Sequence, residues 1–239
     1  MESYTQQAER LFNIVLTSEQ VEQFSIFEQL LLEWNQKINL TAIRDVQGIH
    51  TKHFLDSLSS VKGFNGGIPV SLIDIGTGAG FPGIPLKIAF PQIRLVLVES
   101  VGKKAKFCQL VVDSLALYGV EVLADRAEEL ASQSRYRERF DIAIARSVAK
   151  MPVLTEYLLP LVRVGGRMIA QKGNNAHIET QSAAKAIKIL GGELEKIIPV
   201  ELPGVSDERY LVVIKKTAAT PLIYPRKAGL PVKKPILNL

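Results

Sequence analysis

The chain of 239 residues contains one cysteine, Cys108, and only three histidines. A single cysteine excludes an intrachain disulfide and a cysteine-based metal cluster, and its helical apolar surroundings predict that it packs in the core. His50, His53 and His177 do not have the spacing of metal ligands. We therefore expect neither a disulfide framework nor a metal site.

Long apolar runs are also missing. The apolar stretches have the length of strands and are interrupted by charged residues, whereas a membrane-spanning helix needs about 20 consecutive apolar residues. The first residues, Met1 to Gln6, lack the charged-then-apolar order of a secretion signal. These absences predict a soluble, cytoplasmic protein with no membrane partner.

Acidic residues are absent from the end of the chain. Residues 217–239 hold four Lys or Arg and no Asp or Glu, residues 66–216 hold 20 and 16, and residues 1–65 hold five and eight. The length and the 47% hydrophobic composition suffice for one substantial core and a smaller appendage. We predict a helical cap over 1–65, a main domain over 66–216 and a basic, proline-rich arm over 217–239 that packs on or near the main domain.

The arm has two interpretations that composition leaves open. Its four prolines predict an extended path over the surface and no helix. Its cations have Tyr224 nearby, as in a nucleic-acid contact arm. The alternative is a tail that is solvated or only packed on the domain. The cations of the arm, which are the candidates for phosphate contacts, are Arg226, Lys227, Lys233 and Lys234.

A glycine-rich loop lies between an apolar strand over 71–75 and a predicted helix. Glycine permits positive φ and brings bare amides close to a ligand, and the start of the next helix favours anionic groups. One register, Gly78-x-Gly80-x-x-Gly83, satisfies the dinucleotide pattern. The other, Asp74-x-Gly76-x-Gly78-x-Gly80, is similar to the first motif of class I S-adenosylmethionine methyltransferases. The second register fits the strand end better, because its first glycine comes directly after the strand.

A second apolar strand, over 94–98, ends in Glu99. This carboxylate lies 19 residues after Gly80, at the distance from the glycine loop where an acidic residue binds the ribose hydroxyls of an adenosine. Both cofactor interpretations share this feature. The simpler alternative is a solvated strand-end glutamate near Lys103 and Lys104.

Beyond the loop, apolar runs alternate with helical patterns, which predicts an α/β fold with a mostly parallel sheet covered on both faces. The last two strands are separated by a short loop and should pair antiparallel. Such an ending is typical of the seven-stranded, Rossmann-like class I methyltransferase fold. The predicted strands lie near 71–75, 94–98, 120–124, 140–145, 167–171, 196–201 and 209–215.

Several longer motifs strengthen this interpretation. They are Trp34-Asn35-Gln36-Lys37-Ile38-Asn39-Leu40-Thr41, His53-Phe54-Leu55-Asp56-Ser57, the glycine loop, Phe140-Asp141-Ile142-Ala143-Ile144-Ala145-Arg146-Ser147 and Tyr224-Pro225-Arg226-Lys227. Together they resemble, over nearly the whole chain, the bacterial ribosomal RNA small subunit methyltransferase G family, also called glucose-inhibited division protein B. The resemblance implies S-adenosylmethionine-dependent methylation of nitrogen-7 of one guanine in 16S ribosomal RNA.

The resemblance also implies a set of cofactor contacts. They fall on Gly76, Phe81, Glu99, Ser100, Val101, Ala127, Glu128 and Arg146, and the loop register adds Asp74, Gly78 and Gly80. Chemically, Phe81 can pack on an apolar part of the cofactor, and Arg146 can bind a carboxylate or an RNA phosphate at the carboxyl edge of the sheet. A structural ion pair of Arg146 with Glu128 or Asp74 is the alternative.

The predicted reaction needs no general base, because guanine nitrogen-7 has a free lone pair and no proton to lose. Catalysis would come from holding the reacting atoms in line. His53 and Lys172 are further candidates for RNA contacts, although a lone histidine in a helix is more often structural. We expect a monomer that acts on 16S ribosomal RNA or the small ribosomal subunit. Alternatives are a methyltransferase for a protein or small molecule, an NAD-dependent oxidoreductase and a nucleotide-binding module.

Overall fold

A seven-stranded sheet forms the centre of the computed structural model, which describes residues 2–237. The strand order is β3-β2-β1-β4-β5-β7-β6. The bounds are β1 Ser71–Ile75, β2 Arg94–Val98, β3 Val120–Leu123, β4 Phe140–Arg146, β5 Val162–Lys172, β6 Gly192–Pro199 and β7 Tyr210–Lys216. The predicted α/β, Rossmann-like class I methyltransferase fold is confirmed, including the antiparallel pairing of the last two strands.

The direction of β7 determines which loops share an edge of the sheet. Strands β1 to β5 pair parallel in the order β3-β2-β1-β4-β5, and β7 pairs antiparallel with β5. Tyr210, the first residue of β7, therefore pairs with Lys172, the last residue of β5. The segment just before β7 thus lies at the same edge as the carboxyl ends of the parallel strands, where ligands bind in such sheets.

Helices cover both faces of the sheet, and adjacent strand residues alternate between the two faces. In β1, Leu72 belongs to one apolar cluster and Ile73 to the other, and both are fully buried. The helices between β1 and β6 are α5 Gly83–Ala89, α6 Gly102–Ser114, α7 Ala127–Leu130, α8 Met151–Leu158, α9 Ala176–Ser182 and α10 Ala184–Ile189, with a 3-10 turn over Leu159–Leu161. None of the helices within residues 2–237 is both long and apolar enough to cross a membrane.

The N-terminal segment is helical and shares its core with one face of the sheet. Its elements are α1 Tyr4–Phe12, α2 Ser18–Asn35, α3 Val46–Ile49, a π-helix over His50–Leu55, α4 Asp56–Leu58 and a 3-10 helix over Ser59–Gly63. Helix α2 starts with a capping box between Thr17 and Gln20. Phe27 of α2 is fully buried and stacks on Phe81 with ring centroids 5.1 Å apart. The three-part division of the chain stays a prediction.

The C-terminal arm contains one helical turn, α11 Leu230–Lys233. The prediction of an arm without helix is therefore wrong for these residues. Pro231 lies in the first turn, where a missing N–H costs no intrahelical hydrogen bond, so proline does not exclude a helix that starts there. Elsewhere the arm is held by side chains of the main domain, as Arg137 donates hydrogen bonds to the carbonyl oxygens of Tyr224 at 2.7 Å and Thr220 at 2.8 Å.

Candidate functional site

The glycine loop leaves β1 directly through Gly76, whose backbone N–H donates to the carbonyl oxygen of Val98 at 2.8 Å. Gly76, Gly78 and Gly80 have φ values of 67°, 62° and 92°, a region that side chains with a Cβ avoid. A Cβ at Gly76 would lie 2.6 Å from Val148, whereas one at Gly78 would meet no atom within 4 Å. The loop therefore presents bare backbone to open space at Gly78.

The side chain of Asp74, near the end of β1, is hydrogen-bonded to the glycine loop and to the start of α5. It is fully buried, and one carboxylate oxygen accepts hydrogen bonds from the Thr77 hydroxyl at 2.6 Å and the Gly83 amide at 2.8 Å. The other oxygen has no hydrogen-bond partner. Burial raises the pKa of Asp74 to about 6, and the two hydrogen bonds oppose this rise. Asp74 thus joins the end of β1 to the start of α5.

Glu99, the residue after β2, is hydrogen-bonded to the glycine loop. It is buried, its Oε2 accepts from the Gly78 amide at 2.9 Å, and its Oε1 accepts from the Val101 amide at 2.8 Å. A carboxylate oxygen has two lone pairs, so each retains capacity for a hydroxyl donor. Ser100 and Val101 lie beside it, exposed to solvent. Glu99 is therefore a buried, hydrogen-bonded carboxylate, and the alternative of a solvated glutamate at the strand end is wrong.

Arg146, the last residue of β4, reaches across to the N-terminal helices. Its Nη1 donates to Asp56 Oδ2 at 2.8 Å and to the carbonyl oxygen of Lys52 at 3.1 Å. Its Nη2 donates to His53 Nδ1 at 3.1 Å. The ion-pair partner is thus Asp56, and neither Glu128 nor Asp74 pairs with Arg146.

His53 is held on both ring nitrogens. Because an arginine can only donate, Nδ1 accepts and the proton sits on Nε2, which lies 2.8 Å from the Thr41 hydroxyl. Burial, together with the charge of Arg146, lowers the pKa of His53 to about 3, so the ring is neutral at physiological pH. Asn35 holds the loop that carries Thr41, since its Oδ1 accepts from the amides of Leu40 and Thr41. A polar chain therefore runs from α2 to the end of β4.

Phe81 lies between the rings of His53 and Phe27, with the His53 ring 4.5 Å away and nearly parallel. The Arg146 guanidinium lies 5.1 Å from the Phe81 ring centre, within range of a cation–π contact. Only 4% of Phe81 is exposed. Its packing supports the position of Arg146, and the part of Phe81 that stays accessible lines the cavity.

Two predicted site residues near α7 lie away from this cluster. Ala127 and Glu128 are buried, and Glu128 Oε1 accepts from the Gly229 amide at 3.0 Å. The C-terminal arm thus covers the first turn of α7.

Lys172, at the end of β5, donates to the Ala149 carbonyl oxygen at 2.6 Å and pairs with Glu179 at 2.7 Å.

The four cations of the arm do not form one group. Arg226 pairs with Glu156, which has no exposed side-chain surface, through hydrogen bonds from its backbone amide and guanidinium. Arg226 therefore anchors the arm on α8, with its guanidinium engaged by Glu156 and by the carbonyl oxygen of Lys234. An RNA contact by this residue stays a prediction. Lys227, Lys233 and Lys234 are exposed.

These elements surround a cavity of about 630 Å³ that extends along the carboxyl edge of the sheet from β2 to β7. One half is formed by the glycine loop, Glu99 and Lys104. The other half is formed by residues that sequence reasoning did not assign to a site, namely Asp56, Gln171, Asp207, Glu208, Arg209 and Tyr210. The predicted antiparallel ending was the signal that could have placed residues 207–210 at this edge. No group of three or more potential metal ligands is present within residues 2–237.

Solved structures that resemble the chain have the class I methyltransferase fold. A SAM-dependent methyltransferase from Aquifex aeolicus superposes with a TM-score of 0.51 at 16% identity, over 71% of this chain and 93% of that one. TrmN from Thermus thermophilus superposes with a TM-score of 0.51 at 16% identity, over 70% of this chain and 53% of that one. At such identities the likeness shows the fold alone.

Sequence comparison is more specific. The family model described as rRNA small subunit methyltransferase G matches residues 20–206. A protein named Ribosomal RNA small subunit methyltransferase G from Roseiflexus castenholzii is 49% identical over 222 residues, which are 93% of this chain and 94% of the relative. One of the same name from Acetivibrio thermocellus is 46% identical over 228 residues, which are 94% of this chain and 92% of the relative. The chain therefore belongs to the rRNA small subunit methyltransferase G family.

Proposed function

We propose that the protein uses S-adenosylmethionine to methylate nitrogen-7 of one guanine in 16S ribosomal RNA. The observation that carries the proposal is the open face of Gly78 beside the buried carboxylate of Glu99, in a cavity at the carboxyl edge of the sheet. The start of the loop at Gly76 also favours the methyltransferase register over the dinucleotide register.

The residues present fit this cofactor. Glu99 keeps lone pairs for the two ribose hydroxyls, and the bare backbone at Gly78 leaves room for the cofactor next to it. Ser100 and Val101, beside Glu99, would contact the adenine. The contact of Ala127 and Glu128 with the adenine stays a prediction, because these two residues are buried and do not line the cavity. Arg146, held in place by Asp56, would bind the carboxylate of the methionine part. When bound, S-adenosylmethionine supplies a methyl group activated by a positively charged sulfur.

The chemistry of the site agrees with a reaction that needs no general base. Guanine nitrogen-7 attacks with its lone pair and releases no proton. His53 cannot serve as a free base, since Arg146 occupies Nδ1 and Nε2 carries the proton that points to Thr41. The role of the protein is then to hold nucleophile and methyl group in line, and the polar chain through His53 keeps Arg146 in one position.

RNA would approach the outer half of the cavity. Lys172 lines it but is already paired with Glu179, so its contribution is a fixed charge. Lys227, Lys233 and Lys234 on the arm are free to meet phosphates at the surface. We infer that the substrate is 16S ribosomal RNA or the small ribosomal subunit, and that the protein acts as a monomer.

The test is to incubate the protein with methyl-labelled S-adenosylmethionine and unmethylated 16S RNA, naked or in small subunits, and to analyse the nucleosides. We expect label in 7-methylguanosine. Label in another nucleoside would contradict the proposed atom. Label only in a protein or small-molecule acceptor would establish the alternative class of methyltransferase.

A pair of glycine variants tests the cofactor part separately. Gly78 and Gly204 have similar φ values of 62° and 71°, and a Cβ at either would meet no atom within 4 Å. The backbone strain of an alanine is therefore comparable, but only Gly78 lies in the cavity wall. We expect Gly78→Ala to weaken S-adenosylmethionine binding, measured by calorimetry, at least tenfold more than Gly204→Ala. Equal effects would argue against the loop as the cofactor site.

A further inference from the structure

A second cavity, of about 620 Å³, lies at the amino edge of the sheet. Residues at the starts of four parallel strands line it, namely Ser71, Arg94, Val120 and Phe140. Because these strands run in one direction, their starts share one edge, and the glycine loop leaves from the other. Strands rise about 3.3 Å per residue, so the five residues of β1 separate the two edges by roughly 15 Å.

The contacts around this amino-edge cavity place its lining residues on one face of the sheet. Arg94 and Val96 are two residues apart in β2, so their side chains point to the same face. Val96 pairs in register with Glu121 of β3. The Oε1 atom of Glu121 accepts from Arg135 at 2.8 Å and from the Tyr136 hydroxyl at 3.0 Å. Val96 and Tyr136 also belong to one apolar cluster, so the strands and the segment before β4 enclose the same space.

The amino-edge cavity is rich in positive charge. Three exposed arginines line it, Arg94, Arg135 and Arg139, and Glu121 is the one acidic residue among its described lining residues. Three positive charges against one negative charge leave an excess of two. Within residues 2–237 the Arg94 guanidinium makes no hydrogen bond or ion pair, and that of Arg139 makes one long hydrogen bond, to the Ser134 carbonyl oxygen at 3.5 Å. Two guanidinium groups are therefore available to an anion.

The composition of this cavity fits a nucleotide. A guanidinium matches the oxygens of a phosphate, which it binds in bidentate fashion. The wall between the arginines is apolar, with Val96, Tyr136 and Phe140, and can contact a flat base. The volume of the cavity lies in the usual range of sites for small organic groups. RNA presents such a unit where a base is unstacked in a single-stranded segment.

We propose that the amino-edge cavity is a second contact site for the RNA substrate, which takes one unstacked nucleotide with its phosphate on Arg94 and Arg139. The identity of the RNA rests on the proposed function. The amino-edge cavity shares no lining residue with the cavity at the carboxyl edge. It therefore adds affinity for nucleotides away from the target guanine and takes no part in methyl transfer.

The test compares two double variants that each remove two positive charges. One is Arg94→Gln with Arg139→Gln, and the control is Lys106→Gln with Lys188→Gln, exposed lysines of α6 and α10 outside both cavities. We expect the affinity for 16S RNA at about 0.1 M salt to fall at least fivefold for the arginine pair, and the slope of log Kobs against log salt concentration to decrease by about 1 to 2. The lysine pair should change the affinity less than about twofold.

Two further readouts separate binding from chemistry. In the arginine pair, kcat at saturating RNA and the Kd for S-adenosylmethionine should equal the wild-type values, while the KM for RNA rises. The urea midpoint should also stay unchanged, because Arg94 holds no other residue in place. Equal RNA affinities in the arginine and lysine pairs would overturn the site, and a fall in kcat without a rise in KM would overturn its role in affinity.

Glu121→Gln should act in the opposite direction. The amide keeps an acceptor oxygen for Arg135 and Tyr136, but the negative charge in the cavity wall is lost. We expect RNA affinity to increase about twofold to fivefold, because repulsion of the phosphate is removed. Glu22→Gln, an exposed glutamate of α2, is the control for the change in net charge. An increase no larger than that of the control would contradict a phosphate at this cavity.

A guanine-free probe separates this inference from the proposed function. In the presence of S-adenosylhomocysteine, a single-stranded oligouridylate should bind the arginine pair at least about fivefold more weakly than the wild type. Equal binding to both would overturn the site. Uridine monophosphate that binds the wild type as tightly as the oligouridylate would identify a site for free nucleotides and overturn the assignment to RNA. If the wild type forms no 7-methylguanosine in 16S RNA, the proposed function fails, and the oligouridylate comparison still decides this site.

Discussion

The Arg146 guanidinium donates a 3.1 Å hydrogen bond to Nδ1 of His53, a residue 93 positions earlier in the chain. This contact joins the carboxyl edge of the sheet to the N-terminal helical segment. Under the proposed function, His53 is a positioning residue and not a base. The role of His53 in this arrangement is to orient the arginine.

Two substitutions of His53 test this role, because only one of them provides a hydrogen-bond acceptor for Arg146. The Oδ1 atom of His53→Asn can replace Nδ1 as the acceptor for Arg146, whereas His53→Leu leaves a partly buried guanidinium N–H without a partner. We expect His53→Leu to lower the free energy of unfolding by about 1–3 kcal/mol more than His53→Asn, measured by urea denaturation. S-adenosylmethionine affinity should follow the same order. Equal values for the two variants would show that the hydrogen bond to Arg146 contributes nothing.

The pKa values of His53 and Asp74 predict opposite effects of pH on stability. His53 has a pKa of about 3 in the fold against an ordinary 6.5, so between these values the unfolded chain binds more protons and stability rises with pH. Asp74 has a pKa of about 6 against an ordinary 3.8, so in that window the folded protein binds more protons and stability falls as pH rises.

Single variants separate the two contributions. Between pH 4 and pH 6, Asp74→Asn should make the increase of stability with pH steeper, and His53→Asn should make it shallower. The measurement is the urea midpoint at several pH values in this window. A slope that changes in the same direction in both variants would show that at least one of the two groups does not titrate as the structure implies.

The ion pair between Arg226 and Glu156 should matter for stability. Glu156 has no exposed side-chain surface, so Arg226→Gln would leave a buried carboxylate without its cation. We expect a loss of roughly 3 kcal/mol in the free energy of unfolding. The neighbouring exposed Lys227→Gln is the matched control and should change it by less than about 0.5 kcal/mol. Adding Glu156→Gln to Arg226→Gln should restore part of the loss, and a double variant no more stable than Arg226→Gln would argue against this explanation.

The exposed lysines of the arm should act on RNA binding and leave stability unchanged. Each phosphate contact contributes about 0.7 to 0.9 to the slope of log Kobs against log salt concentration. We expect the double variant Lys233→Gln, Lys234→Gln to reduce this slope by about 1 to 2. Lys188→Gln, an exposed lysine of α10, is the control. An unchanged slope in the double variant would mean that the arm only packs on the domain.

Much of the sheet was predictable because local patterns determine it. The strands β1 and β2 begin and end where the apolar runs do, at residues 71–75 and 94–98. The strand β5 begins at Val162, earlier than predicted, because Gly165 and Gly166 within it interrupt the apolar pattern. These glycines lie in the irregular stretch of the ladder with β4, between the pairs Phe140–Val162 and Ile142–Arg167. The strand β6 is displaced towards the N-terminus, since its polar residues gave little signal of a strand.

The parts of the site that lie within one segment of the chain were predictable. Contacts between segments that are far apart in the sequence were less predictable. The glycine loop and Glu99 follow strand ends, and parallel strands bring such residues to one edge. The partner of Arg146 is Asp56, in a helix 90 residues earlier, and no local pattern identifies such a pair. Glu208 looked like an ordinary loop residue, and only the antiparallel direction of β7 brings it into the cavity wall.

Methyl transfer to RNA in which guanosine is replaced by 7-deazaguanosine tests the central claim most directly. The analogue has a C–H in place of nitrogen-7 and keeps both donors of the Watson–Crick edge. Unmodified 16S RNA should accept about one labelled methyl group per molecule, and RNA transcribed with the analogue should accept none while still competing for binding. Labelling of the 7-deazaguanosine RNA to the level of the unmodified RNA would contradict nitrogen-7 as the acceptor.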